Sequence, residues 1–156
     1  MNPHPDFEGR PPPRSATVGS FQLCILSPED VEEDYAAVVE SEDVLFGLFD
    51  SEWPRGLTLE RNLSDLKRHE GEFEAECAFA WIVRSSDGTY LGCAYLDPTP
   101  DVTGEGKVYT WIRDREDRLD ILSRFNSSFG DWLGHHLPDG YSLTWKSNDD
   151  IGPSGA

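Results

Sequence analysis

Few side chains in this sequence stand at spacings that chemistry requires, and many of those that do crowd into one stretch. Residues 113–120 read Arg-Asp-Arg-Glu-Asp-Arg-Leu-Asp, three guanidiniums among four carboxylates. Arginine forks pair with phosphate or carboxylate through charge-assisted hydrogen bonds, while neighbouring acids repel an anion at short range. Acids in a first helical turn are also what the helix dipole favours. Both readings of the run stay open. The histidines offer less. His135 and His136 are adjacent at an expected helix end and point about 100° apart, so they do not converge on one metal. His69 falls in the charged part of another expected helix and reads as a surface histidine. No Cys/His pair has zinc-site spacing, and neither a Ser-His-Asp elbow nor a P-loop occurs. Cys24, Cys77 and Cys93 are odd in number and lie in or beside apolar runs. Buried free thiols in a reducing compartment are therefore expected, and a cytoplasmic location with them.

The elements that must position these groups follow from periodicity. Residues 1–18 are rich in proline and polar side chains, including Pro11-Pro12-Pro13, and are expected to be a flexible arm. A strand is expected over 21–26. Ser27 and Pro28 then suit a helix start, with Val31, Tyr35, Val38 and Val39 at helical spacing and acids on the wet face. An apolar linker over 45–54 leads to Thr58, which can cap a second helix carrying Leu59, Leu63, Leu66 and Phe73. Residues 78–84 alternate as a strand, Ser86-Asp87-Gly88-Thr89 signals a hairpin, and 90–97 is the partner strand. A strand over 107–113 has Val108, Thr110 and Ile112 on one face and Tyr109, Trp111 and Arg113 on the other. A long helix with Leu119, Leu122, Phe125, Phe129 and Trp132 precedes a last strand over 141–146. The expected order is β-α-α-β-β-β-α-β, an α/β (α+β) domain over 19–149 with a mixed, mostly antiparallel sheet flanked by helices, and a polar tail over 150–156.

Composition limits the partners. The chain has 156 residues, 37% of them hydrophobic, which suits one domain that needs no metal or disulfide to hold it. Its formal net charge of -17 repels nucleic-acid backbones and anionic membranes. No apolar stretch approaches the ~20 residues of a membrane helix. Only Lys67, Lys107 and Lys146 are lysines. An acid-rich, lysine-poor surface suits a high-salt cytoplasm, or an arginine-preferring proteome.

The element order, Leu26-Ser27-Pro28-Glu29-Asp30 leaving the first strand, the hairpin from Ala78–Val83 through Asp87-Gly88 to Leu91-Gly92-Cys93-Ala94-Tyr95, Tyr109-Thr110-Trp111-Ile112-Arg113, and Leu143-Thr144-Trp145 followed by Asn148 together resemble the GNAT superfamily of acetyl-CoA-dependent N-acetyltransferases. The resemblance implies acetyl-CoA as donor and an amine, small molecule or peptide, as acceptor. It implies donor contacts from Trp111 and Ile112 on the fourth strand of the family pattern and from Arg113, Arg115 and Arg118 after it. In the family a glycine-containing loop there and the next helix N-terminus cradle the pyrophosphate; here the loop has no glycine. The base candidates are Glu105 and Asp97, and Tyr95 and Tyr109 are candidates for an acid or for pocket lining. Many members use a tyrosine on a helix after the fifth strand as general acid. The sequence given ends at Ala156, and on this reading no residue takes that role by position. The alternative is a catalytically inactive GNAT-like module for binding or oligomerisation, with a homodimer completing the sheet at its last strand.

Overall fold

The structure is a computed structural model, and it describes residues 1–149. Its order is β1 (Ser15–Val18), β2 (Phe21–Ile25), a 3-10 turn (Pro28–Asp30), α1 (Val31–Glu40), α2 (Glu42–Leu45), α3 (Leu59–Glu74), β3 (Phe79–Ser85), β4 (Tyr90–Pro98), β5 (Glu105–Ile112), α4 (Arg118–Gly134) and β6 (Ser142–Ser147). The strands lie in sequence order in one sheet, antiparallel except for the parallel pair β5–β6. The local signals act as read. Ser27 Oγ accepts from Glu29 N at 3.2 Å, with Pro28 at the first position of the turn. Thr58 Oγ1 accepts from Arg61 N at 3.1 Å and starts α3. Gly88, at φ 90°, closes the β3–β4 hairpin. Gly92 is required for packing: a Cβ there would overlap the carbonyl oxygen of Trp111 on β5.

The sheet buries both faces. One carries Trp81, Val83, Leu96, Val108 and Ile112 against Phe125, Phe129 and Leu133 of α4. The other carries Ile82, Cys93, Tyr95 and Trp111 against Val38 of α1 and Leu66 of α3. α3 also sends Phe73 to the first cluster. Each such side chain, fully buried, contributes roughly 1.5–3 kcal/mol of transfer free energy.

Four expectations change. The segment read as a flexible arm is packed: Ser15–Val18 pairs with β2 as a sixth strand, Phe7 is completely buried, and Trp81 Nε1 donates to Pro13 O at 2.9 Å. Leu59 and Leu119, expected on apolar faces, are exposed, each in the first turn of its helix. Of the cysteines only Cys93 is buried; Cys24 is exposed and Cys77 partly so, and all three are free thiols. His69 is largely buried, for reasons that belong to the site. Among the described residues no helix is long and apolar enough to cross a membrane.

Candidate functional site

A cavity of about 1050 Å³ opens on the α3 side of the sheet. Tyr95 and Asp97, two apart on β4 and so on the same face, form its floor. The polar face of α3 brings Asn62, Asp65, Arg68, His69 and Glu72, and the linker before α3 brings Phe49 and Trp53. The outer wall is Asn2–Pro5 together with Pro100–Thr103 of the β4–β5 loop. That wall is latched: His4 Nε2 donates to Thr99 O at 2.9 Å and Val102 O at 3.1 Å, while His4 Nδ1 accepts from Asp6 N at 3.1 Å. This pattern needs the neutral Nε2–H tautomer. Phe7 holds the segment down, its ring 5.1 Å from that of Phe79.

The titrating groups of the cavity are perturbed in opposite senses. Burial, with Glu72 nearby, raises the Asp97 carboxyl to about 6 against the lowering pull of Arg68 and Lys107, and no hydrogen bond to its side chain adds to that pull. Burial, with Arg68 nearby, lowers His69 to about 4. His69 Nδ1 lies 3.8 Å from Glu72 Oε1. That would be an ion pair only for a charged imidazole, and at neutral pH this one is uncharged. Its ring centroid is 5.5 Å from that of Tyr95. The burial comes from Tyr95 and the outer wall, neither of which the helical pattern of α3 can reveal.

Deeper in, Asp34 of α1 accepts from Asn62 Nδ2 at 2.8 Å and from Tyr90 OH, and the Tyr90 hydroxyl is 3.1 Å from Cys93 Sγ. Burial raises the Asp34 carboxyl, against the lowering effect of those hydrogen bonds. The helical spacing of α1 places Asp34 among the acids of its wet face, yet it is only 4% exposed. It tethers α1 to α3 and β4.

The other sequence candidates fall elsewhere. Trp111 is buried beneath the cavity and donates from Nε1 to Tyr95 OH at 3.1 Å. Tyr109 packs its ring 5.0 Å from Phe49, beside the β5–β6 seam rather than on the cavity wall. Glu105 is exposed at the start of β5, accepts from Thr99 Oγ1 at 3.1 Å, and does not line the cavity. Ile112 and the arginines lie at the opposite end of β5.

Most of that end is hydrogen-bonded, the buried Arg118 Nε excepted. β5 and β6 pair from Glu105↔Ser142 to Thr110↔Ser147. One residue on, the Asn148 side chain continues the ladder: Nδ2 donates to Ile112 O at 2.9 Å and Oδ1 accepts from Ile112 N at 3.4 Å. Beneath lies a buried cluster in which Thr110 Oγ1 donates to Asn126 Oδ1 at 2.7 Å and Asn126 Nδ2 donates to Ser147 Oγ at 3.1 Å. In the loop, Arg113 N donates to Leu91 O at 2.7 Å and Asp114 N to Ser41 Oγ at 2.8 Å. Arg113 forks onto Glu40 at 3.1 and 2.8 Å, Arg115 holds Asp117 at 2.7 Å, and Arg118 donates to Asn148 O at 3.3 Å.

Comparison with solved structures finds this architecture in acetyltransferases. Apo RimL, a ribosomal L7/L12 alpha-N-protein acetyltransferase, superposes with a TM-score of 0.66 at 12% identity over 83% of this chain and 68% of that one. The ribosomal-protein-S5-alanine acetyltransferase of Vibrio fischeri gives 0.62 at 15% identity, over 78% and 67%. RimL in complex with coenzyme A gives 0.62 at 12%, over 74% and 64%. The chain has the GNAT fold. At these identities the likeness is one of fold, and this chain spans about two thirds of the length of those GNAT structures. No family model and no curated protein matches the sequence.

Several features of this GNAT-fold chain depart from a coenzyme A cradle. The amides of Arg113 and Asp114, which open the loop, already donate to protein oxygens, and no glycine lets the backbone approach a phosphate. Arg113 and Arg115 are paired with carboxylates and Arg118 donates one bond to Asn148 O, although its buried Nε has no partner; Asp114, Glu116, Asp117 and Asp120 surround them. The edge of β5 that faces β6 is covered through Ile112.

Proposed function

We propose that this chain binds a small cationic amine in the cavity, with Asp97 as its counter-ion and proton acceptor. The observation that supports this is the Asp97 carboxyl: partly buried on the cavity floor, without a hydrogen bond, and held near 6. A desolvated carboxylate without hydrogen bonds is costly; Arg68 and Lys107 attract it only at a distance, and an ammonium group supplies the donors it lacks together with a closer charge. Five carboxylates (Asp34, Asp65, Glu72, Asp97 and Asp101) against two arginines (Arg61 and Arg68) line the cavity and favour a cation at longer range. The uncharged His69 ring and the Tyr95 and Phe49 rings offer surface for the carbon skeleton. On proton transfer the ammonium N–H bond breaks, an O–H bond forms on Asp97, and the nitrogen keeps the electron pair. A carboxyl near 6 is well matched to that step at neutral pH.

N-acetyl transfer to the bound amine is the second reading. What favours it is the fold shared with RimL and the Vibrio fischeri enzyme, and it adds the N-terminal amine of a peptide to the ligands to try. Calorimetric titration of small amines and short peptides between pH 5 and 8 tests the first reading. Affinity should rise as pH climbs through about 6, because Asp97 must be ionised to pair. Asp97→Asn should bind roughly 30-fold more weakly and lose that pH dependence. Equal binding by the variant would sink the proposal. An acetylated amine appearing by mass spectrometry with acetyl-CoA present would establish the second reading.

The same reading extends to assembly and location. β6 is an edge of the sheet, and a second copy pairing there would complete it; multi-angle light scattering measures this. The buried thiol of Cys93 suits a reducing cytoplasm.

A further inference from the structure

We infer that the β5 edge and the loop after it, where the GNAT fold takes its acyl donor, serve in this chain as a structural clasp, so that the amine in the cavity is bound and not acetylated from coenzyme A. This rests on the amine-binding reading for the identity of the cavity's ligand, but the clasp stands on its own geometry.

The clasp has three parts. Asn148 imitates one more residue of β6, returning both a donor and an acceptor to Ile112. An amide side chain can satisfy both backbone groups of one residue, which leaves that position of β5 no free N–H to stabilise an oxyanion. Ser41, fully buried after α1, takes the Asp114 amide. With the Arg113–Glu40 fork, it ties the loop to the end of α1 instead of leaving it open to an anion. The Thr110–Asn126–Ser147 cluster then fixes β5, β6 and α4 to one another from beneath. Opening the seam to a donor would strip partners from several buried polar groups at once, each costly to leave unpaired.

The charge pattern agrees. A pyrophosphate near the loop would gain the unpaired Arg118 Nε but would displace Glu40 and Asp117 from their arginines while facing Asp114, Glu116 and Asp120, so repulsion opposes that gain. The acids in the first turn of α4 already use the favourable end of the helix dipole.

Calorimetry of the full chain with coenzyme A and with acetyl-CoA, at low and high salt, tests the inference. The expected result is no saturable binding, with Kd above about 1 mM in every condition. Micromolar binding of either compound overturns it. The second measurement uses Asn148→Ala, which should fold and melt roughly 3–6 °C lower if Asn148 closes the ladder. An unchanged melting temperature overturns the clasp even if coenzyme A fails to bind. Amine binding is measured without coenzyme A, so its failure would count against the cavity reading and leave these two results to stand by themselves.

Discussion

The cavity beneath α3 and the seam between β5 and β6 lie one strand apart on the same sheet, yet their polar groups are in opposite states. In the seam, Thr110, Asn126, Ser147, Asn148, Ser41 and Arg113 all have protein partners, and the buried Arg118 Nε is the exception. In the cavity, Asp97 has no hydrogen bond to its side chain, and the pull of Arg68 and Lys107 does not offset the cost of its desolvation. Satisfied polar groups specify a structure, whereas an unsatisfied one in a concave site is available to a ligand. Similarity of fold alone would direct attention to the seam, but the hydrogen bonds direct it to the cavity.

That contrast can be broken most forcefully in the seam. Asn126→Ala should cost about 3 kcal/mol of unfolding free energy, because it opens a small void and leaves the Thr110 and Ser147 hydroxyls only each other in a buried cluster. Chemical denaturation measures it; a loss below ~1 kcal/mol would mean that the seam is not the rigid region described.

The cavity should respond in the other direction. Asp97 is raised to about 6, so the folded state binds its proton more readily, and the stability it contributes grows as pH falls through 6 and is lost as pH rises. His69 is lowered to about 4, so its contribution is present above 6.5 and is lost as pH falls toward 4. Between pH 4 and 6.5 the two oppose one another, and the native protein should show little net dependence from this pair. Asp97→Asn leaves His69 alone. The variant should gain up to about 2 kcal/mol at pH 7 and lose that advantage by pH 4. Parallel pH profiles for variant and native protein would show that Asp97 is not buried as described.

His4→Ala should loosen the outer wall with Phe7 still seated, costing about 1 kcal/mol or slightly more. It should admit bulkier amines, read as a flatter dependence of affinity on ligand size. Arg115→Ala marks the low end: its pair with Asp117 is exposed and two residues apart, and thermal melting should change by less than about 0.5 kcal/mol equivalent. A larger loss would mean that the loop after β5 is organised from its surface rather than from Ser41 and Asn148.

Much of the fold was legible because its signals are local. The Ser27 and Thr58 caps, the Gly88 turn and the alternation of Val108, Thr110 and Ile112 against Tyr109 and Trp111 each depend on neighbours a few residues away. Part of the site was legible too: Tyr95 and Asp97 could be placed on one strand, and the glycine-free arginine loop stood out as a departure. Asp34, His69 and the N-terminal wall were not. Asp34 meets Asn62 across 28 positions and Tyr90 across 56, and His4 meets Thr99 across 95. On α1 and α3 these polar residues read as solvent-facing, and residues 1–18 read as a tail because their composition is that of one.

The sequence by itself determined the helices, hairpin and strand faces, the strongly acidic surface, and the absence of glycine in the loop after β5, because periodicity, capping and residue identity act over one or two turns of chain. Only the tertiary structure decided which carboxyl would be left without a partner and which seam would be closed. Desolvation and hydrogen-bond satisfaction depend on what lies across the fold, and no local pattern records the buried face that Tyr95, Ser41 or Asn148 would come to share.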